Sequence, residues 1–260
     1  NFAGNHDTGH IGNFIQTNHG TAPEAEKLAR AKLANAFLFF ARGIPVIYYG
    51  DEQGFTGDGD SDDSREDMMP STTPSFTDNL LIGSTASPAD DNFDQTHPLY
   101  TSIQEFAKIY KSNKGLRSGT QFERFASDAQ KVYAFSRVDA KKQVEYLIAF
   151  NTSNLEQSFT VPATASKYKE LYPSNAKIDA DVDGNIEVTV GPLDFVIYKA
   201  KSKIQPLAGD LAVSFNNFSA GGFVFGLTEF GADVTLDGVN VSEQTLPLYQ
   251  VAYEMKLADG

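Results

Sequence analysis

The chain has 260 residues, 41% of them hydrophobic and none of them cysteine, with 34 acidic against 21 basic side chains and a formal net charge of −13. That charge argues against nucleic acid or an anionic membrane surface as partner, since both attract positive patches. A neutral ligand stays compatible, and without cysteine there is neither a disulfide nor a thiolate metal site.

The length holds one large domain or two to three smaller ones, and no apolar run approaches the roughly 20 residues that span a bilayer. The chain opens on Phe2-Ala3-Gly4-Asn5-His6-Asp7. This reads as the end of a buried strand carrying an ionisable pair, with a glycine-bearing loop after it. A helix is then predicted over TAPEAEKLARAKLANAFLFFARG. Thr21 serves as N-cap, Pro23 suits the first turn, and Glu24 and Glu26 favour the positive helix end. Ala29, Leu33, Ala36, Phe37 and Phe40 form one apolar stripe, and Gly43 stands at the C′ position. IPVIYYG follows, without polar alternation, as a parallel strand buried on both faces.

A long polar loop, Asp51 to Gln95, separates this strand from a second helix at THPLYTSIQEFAKIYKSN, where Leu99, Ile103, Phe106, Ala107 and Tyr110 repeat the helical spacing. A loop of that length inside a domain is usually functional. Strand end, helix, strand, loop and helix make the tail of an α/β domain over residues 1–115. Two strands cannot close a sheet, so the remaining strands are expected upstream of Asn1. From residue 116 to 200 the pattern changes to short β-branched and aromatic runs, KVYAFSRV, QVEYLIAFN, QSFTV, YKELY, NIEVTV and DFVIYKA. NTSN, YPSN, DVDGN and GP separate them, the signature of an antiparallel β-sandwich. Residues 201–209 read as a linker, and 210–260 as a further β domain, small for an independent core and expected to be truncated.

Catalytic groups of a parallel α/β barrel sit at the C-terminal strand ends. Asn5, His6 and Asp7 hold such a position, and so do Asp51 and Glu52 after IPVIYYG. Taken singly, the first group is an ordinary surface turn and the second a capping or solvated pair; it is their coincidence with two successive strand ends that marks them.

Phe2-Ala3-Gly4-Asn5-His6-Asp7 resembles the F-x-x-N-H-D motif of glycoside hydrolase family 13, the α-amylase family. Gly43 to Gly54, GIPVIYYGDEQG, resembles the family's G-x-P-x-x-Y-x-G-x-E segment on the eighth barrel strand. The resemblance covers residues 1 to 200. It implies a multidomain chain: the C-terminal end of a (β/α)8 TIM barrel, then an antiparallel β-sandwich, with a partial further β domain beyond. It implies a retaining hydrolase of α-1,4-glucosidic bonds in starch-like glucans. The alternatives are a glucanotransferase or oligo-glucosidase of the same family, or a non-catalytic carbohydrate-binding fragment, which the lack of tryptophan disfavours. By resemblance, Asp7 is the catalytic carboxylate that forms no covalent bond and holds two sugar hydroxyls. His6 donates to the same sugar, and Asn5 holds the loop. Nucleophile and general acid are expected upstream, so the chain alone is expected to be inactive.

In Gly57-Asp-Gly-Asp-Ser-Asp-Asp-Ser-Arg65, Asp58, Asp60 and Asp62 sit at positions 1, 3 and 5 of a calcium loop. Asp63 at position 6 and Met69 at position 12 break that pattern. By resemblance, an aspartate and a following arginine here bind sugar upstream of the cleaved bond. Arg65 matches, Asp60 matches with one residue of extra spacing, and Asp62 is the alternative. The plain reading is a solvated acidic loop neutralised by Arg65. Calcium is left open for the enzyme, with no ligands identified in this chain. His10 and His19 are expected in solvent, His97 in a structural role at a helix start, and Tyr48 and Tyr49 in the core. Asn151, Asn217 and Asn240 head glycosylation sequons of the kind that arise by chance. The expected partner is an α-glucan or maltooligosaccharide and the expected location secreted or periplasmic; the oligomeric state is not legible.

Overall fold

Helix α1, Ile11–His19, forms where a loop is expected. Ile11, Phe14 and Ile15 stand three and four residues apart, and Ile15 is buried against Ala31, Ile82 and Leu99. In this computed structural model residues 1–204 are described except 60 and 140; beyond them, only the strands given below.

Helix α2, Glu24–Phe40, starts after Pro23 rather than Thr21, with Glu24 and Glu26 in its first turn. Of the expected stripe, Leu33, Ala36 and Phe40 are buried, but so are Ala31, Leu38 and Phe39. The helix is packed on more than one side, and Phe37, 43% exposed, falls at the open edge.

Ile44–Tyr49 is not the strand buried on both faces that its composition suggests: Ile44 is 77% and Val46 53% exposed, and Tyr49 already lies in a turn. It makes one rung with the chain start, Asn1 N donating to Ile44 O and Val46 N to Asn1 O, both at 2.8 Å. Bonds from one residue to the two flanking a third are the parallel pattern, so the two strand ends do run side by side. Burial of both faces requires further neighbours, and among the described residues only Asn1 pairs here. The segment after Tyr49 contains two short 3₁₀ turns, 51–53 and 61–64, and one helical turn, α3, Pro74–Thr77. It is tied down by Ile82 N to Gly54 O (2.8 Å) and Asn92 N to Met68 O (2.9 Å), over buried Phe55, Leu81 and Ile82.

Helix α4, Pro98–Ser112, is N-capped by His97, whose ring accepts from Leu99 N at 3.2 Å. This is the structural role expected of His97. The short α5, Lys114–Ser118, leads into the sheet.

Eight strands follow: β1 Thr120–Ser127, β2 Val132–Asp139, β3 Val144–Asn151, β4 Gln157–Pro162, β5 Lys167–Tyr172, β6 Lys177–Asp179, β7 Asn185–Val190 and β8 Phe195–Ala200. Six of them form a sheet in the order β1-β2-β3-β8-β5-β6, and β4 pairs with β7; every pairing is antiparallel. β7 alternates buried and exposed, as a strand with one wet face does. β3 and β8 are buried almost throughout, because the central sheet is covered twice. One face meets Phe159, Val161, Ile186 and Val188 of the β4–β7 pair. The other face, through Phe135, Ile148, Phe150 and Phe195, meets Leu33, Phe40, Phe106 and Leu116 of the helices. Arg137 crosses this second junction, almost fully buried, donating to Gly119 O at 3.0 Å and to Phe40 O at 3.2 Å. Inside the sandwich, Arg124 is ion-paired with Glu145, both buried, and Glu145 accepts from Ser136, Thr164 and Tyr168.

Past the sandwich, strands β9 Ser214–Phe218, β10 Phe223–Thr228 and β13 Val251–Lys256 form an antiparallel sheet, and β11 Thr235–Leu236 pairs with β12 Val239–Asn240. Most of the expected linker and the rest of 210–260 lie outside the described residues. Among the described residues no helix is long and apolar enough to cross a membrane.

Candidate active site

A five-residue turn carries the His–Asp pair. Asn5 and Gly9 bridge each other through both backbone bonds, N to O at 3.1 and 3.0 Å. Gly9 has φ +85°, a backbone conformation natural to glycine. Asn5 Oδ1 accepts from Asp7 N at 2.7 Å, from Thr8 N at 2.9 Å and from Thr8 Oγ1 at 3.2 Å. Asn5 therefore holds the loop, as expected of it.

The tip is left free. His6 Nε2 lies 3.4 Å from Asp7 Oδ1, and the two side chains are 60% and 72% exposed. Beside the tip, Ser64 Oγ donates to His6 O at 3.3 Å, and Tyr48 Oη donates to Ser64 O at 3.2 Å. The structure thus brings the 61–64 turn, and Arg65 after it, against the His6–Asp7 turn. Arg65 is half-exposed and reaches Asp62 Oδ1 at 2.8 Å. Asp60, the other expected sugar ligand, lies outside the described residues.

Two histidines depart from expectation. His19 closes α1 instead of lying in a loop. His10 is fully buried, not solvated, with Nδ1 2.9 Å from Oδ1 of equally buried Asp51. Its ring stacks on Tyr48 at 4.8 Å and meets Phe55 edge-on at 5.7 Å. Asp51 is thus no solvated pair with Glu52. Glu52 accepts from Gly50 N at 3.0 Å, and burial raises its pKa. Tyr48 is half-buried as a packing residue, while Tyr49 is 42% exposed.

Sequence reasoning missed Glu66. It is fully buried, and Oε1 accepts from Asn79 Nδ2 at 3.1 Å. Burial pushes this carboxyl up to about 7. Nothing local distinguishes Glu66 from the neighbouring exposed acids in Ser64-Arg65-Glu66-Asp67, because its burial depends on Asn79. Asn151 of the first sequon is buried and donates to Leu155 O, Val190 O and Gly191 O, so it cannot carry a glycan as folded. Among the described residues no group of three or more His, Asp or Glu side chains is arranged to hold a metal ion. A cavity of about 810 Å³ lies elsewhere: it is an apolar groove lined by Phe2, Phe14, Leu33, Phe37, Tyr133 and Phe150.

The exposed His6–Asp7 pair thus stands on a braced turn beside a second strand end and an arginine-bearing loop, on a helical segment followed by a β-sandwich. Comparison with known proteins identifies the family. The family model for the α-amylase catalytic domain matches residues 1–79, and that for the α-amylase C-terminal all-β domain matches residues 123–201. The chain belongs to the α-amylase family, glycoside hydrolase family 13, and comprises part of the catalytic domain with the all-β domain after it.

An α-amylase of Streptomyces lividans is 38% identical over 235 residues, covering 90% of this chain and 25% of that protein. A cyclomaltodextrin glucanotransferase of Bacillus sp. (strain 1-1) is 30% identical over 128 residues, 49% of this chain and 14% of the relative. The acarbose-complexed α-amylase of Geobacillus thermoleovorans superposes with a TM-score of 0.58 at 21% identity, covering 78% of this chain and 38% of that one. The chain spans a quarter or less of the length of these curated relatives.

Proposed function

We propose that the enzyme carrying this chain is a retaining α-amylase that hydrolyses α-1,4-glucosidic bonds in starch-like glucans, and that Asp7 is one of its three catalytic carboxylates. The observation that supports this most is the state of the turn: Asn5 consumes the backbone donors around Asp7, while the Asp7 carboxylate and the His6 ring stay open to solvent.

Glycoside cleavage passes through an oxocarbenium-like state, and hydrogen bonds to ring hydroxyls that tighten there lower the barrier by several kcal/mol. A carboxylate accepts two such bonds at once. Asp7 takes two secondary hydroxyls of the sugar at the cleaved bond, and His6, 3.4 Å away, donates to the same sugar. A retaining mechanism further needs two carboxyl groups about 5 Å apart. These, nucleophile and acid, come from outside residues 1–260, so the chain alone has no activity.

Arg65 contacts sugar further from the cleaved bond, with Asp60 or Asp62 beside it. The amylase relative matches at 38% identity against 30% for the glucanotransferase, which favours hydrolysis over transfer. Glucan polymers do not cross membranes, so the enzyme acts outside the cytoplasm, secreted or periplasmic.

The test is Asp7→Asn in the enzyme carrying this chain. The variant keeps its size and loses a charge. A surface residue would change stability by at most about 0.5 kcal/mol and leave turnover alone. Loss of the transition-state grip removes about 3 to 5 kcal/mol, a hundredfold to several thousandfold in kcat/KM, at unchanged melting temperature. A transition-state-mimicking inhibitor loses affinity in step with the rate. A folded variant with near wild-type turnover refutes the assignment.

A further inference from the structure

His10 and Asp51 form a buried polar pair immediately under the His6–Asp7 turn, and the proposed chemistry does not use it. Their 2.9 Å contact spans 41 residues of sequence and joins the two strand-end segments. The pair is also incompletely satisfied: the buried His10 Nε2 and Asp51 Oδ2 have no hydrogen-bond partner within the protein. A buried polar atom without a partner costs free energy, and a buried ion pair is often matched in stability by an apolar pair of similar volume. As glue, the pair is a poor choice. What an apolar pair would lack is direction.

Asn5 fixes the shape of the turn, since its three accepted bonds all lie within residues 5–8. They do not fix where the turn sits relative to the second strand end. One tie across that gap runs through Ser64, whose hydroxyl donates to His6 O while its carbonyl accepts from Tyr48; a second enters from the base of the turn. Gly9 carries both backbone bonds of the bridge to Asn5, and His10 is the next residue. Movement of the imidazole is passed along the backbone and through that bridge to the base of the turn. There is little room for it to move otherwise: a Cβ at Gly9 would lie 2.3 Å from Gly59 O, and the ring itself is clamped by Tyr48 and Phe55.

The geometry points to His10 as a positioning residue, which, through its directional bond to Asp51, registers the Asp7 carboxylate against the second strand end; this rests on the reading of Asp7 as a catalytic carboxylate. Misplacement of a reacting group by about 1 Å costs on the order of a hundredfold in rate, whereas ground-state sugar binding, spread over several contacts, suffers less.

Three variants of the enzyme carrying this chain test it. In His10→Asn the amide can still donate to Asp51, and kcat is expected to stay within about threefold of wild type. In the double variant His10→Leu/Asp51→Leu the volume is kept and the directional bond lost. It is expected to keep the wild-type melting temperature and KM while kcat falls about tenfold to a hundredfold. Wild-type kcat in the double variant overturns the proposal. So does failure of that variant to fold, which would make the pair a structural strut. Asp7→Asn, measured alongside, separates the two readings. If it retains full kcat, the reading of Asp7 has failed; if it is inactive while the double variant is not, only the role of His10 has.

Discussion

Replacing Glu66 by Gln should remove a pH dependence that the fold imposes on its own stability. The carboxyl is fully buried and accepts a hydrogen bond from Asn79. Burial is the main cause of its rise from 4.5 to about 7; His10 and the hydrogen bonds from Asn79 and the Gly57 backbone oppose the rise, and Asp58 adds to it. Between these two values the folded protein holds the proton and the unfolded chain releases it. Stability from this site is therefore complete below about pH 4.5, declines as pH rises, and is gone above about 7. The gap corresponds to roughly 3 kcal/mol. Gln is neutral throughout and keeps an oxygen for Asn79. Urea unfolding of wild type and Glu66→Gln, run side by side from pH 4 to 8 in the enzyme carrying this chain, cancels every other titrating group. The wild type should lose roughly 3 kcal/mol relative to the variant over that range. A difference that stays constant with pH would show that Glu66 titrates as an ordinary carboxylate, and the account of its burial would fall.

Arg65→Ala in the same enzyme should impair cleavage of starch more than that of a short maltooligosaccharide, with kcat falling as well as affinity, since binding energy from remote subsites helps orient the reacting centre. Equal effects on both substrates would return Arg65 to the surface pairing with Asp62. Residues 1–260 purified alone should release no reducing sugar and should self-associate, because Phe2, Ile44 and Val46 are exposed beside an apolar groove of about 810 Å³. Sugar release by the purified chain, or a monomer in light scattering at high concentration, would contradict this.

The sandwich was the most legible part of the fold. Its runs are rich in β-branched and aromatic residues and are separated by turn residues, and β2, β3, β4, β5, β7 and β8 match the expected segments to within one residue at either end. β1 escaped because a register shift between Glu123 and Phe125 breaks its period of two, and because the side chain it buries most deeply is a charged one, Arg124. α1 escaped because Gly12, Asn13 and Asn18 are weak helix formers, and its packing against Ala31 and Leu99 supplies what propensity does not. At the site, Asn5, His6 and Asp7 were legible because one turn holds all three. His10 was not: its partner is 41 residues away, and a histidine beside a polar turn carries no local sign of burial. The same applies to Glu66 and Asn79. Local pattern reveals residues that act within one turn and conceals those whose environment is made by distant chain.

The Arg137 contact has a consequence for biosynthesis. The carbonyl of Phe40, at the end of α2, receives its hydrogen bond from a guanidinium 97 residues later. A ribosome adding 5–20 residues per second needs roughly 5 to 20 s to make that stretch. During this interval the helix end stands open, and the aromatic face of α2 and α4 lacks Phe135, Phe150 and Phe195. The nascent catalytic segment thus waits for the domain that follows it, and a stall between residues 41 and 137 would leave a sticky intermediate for chaperones to hold.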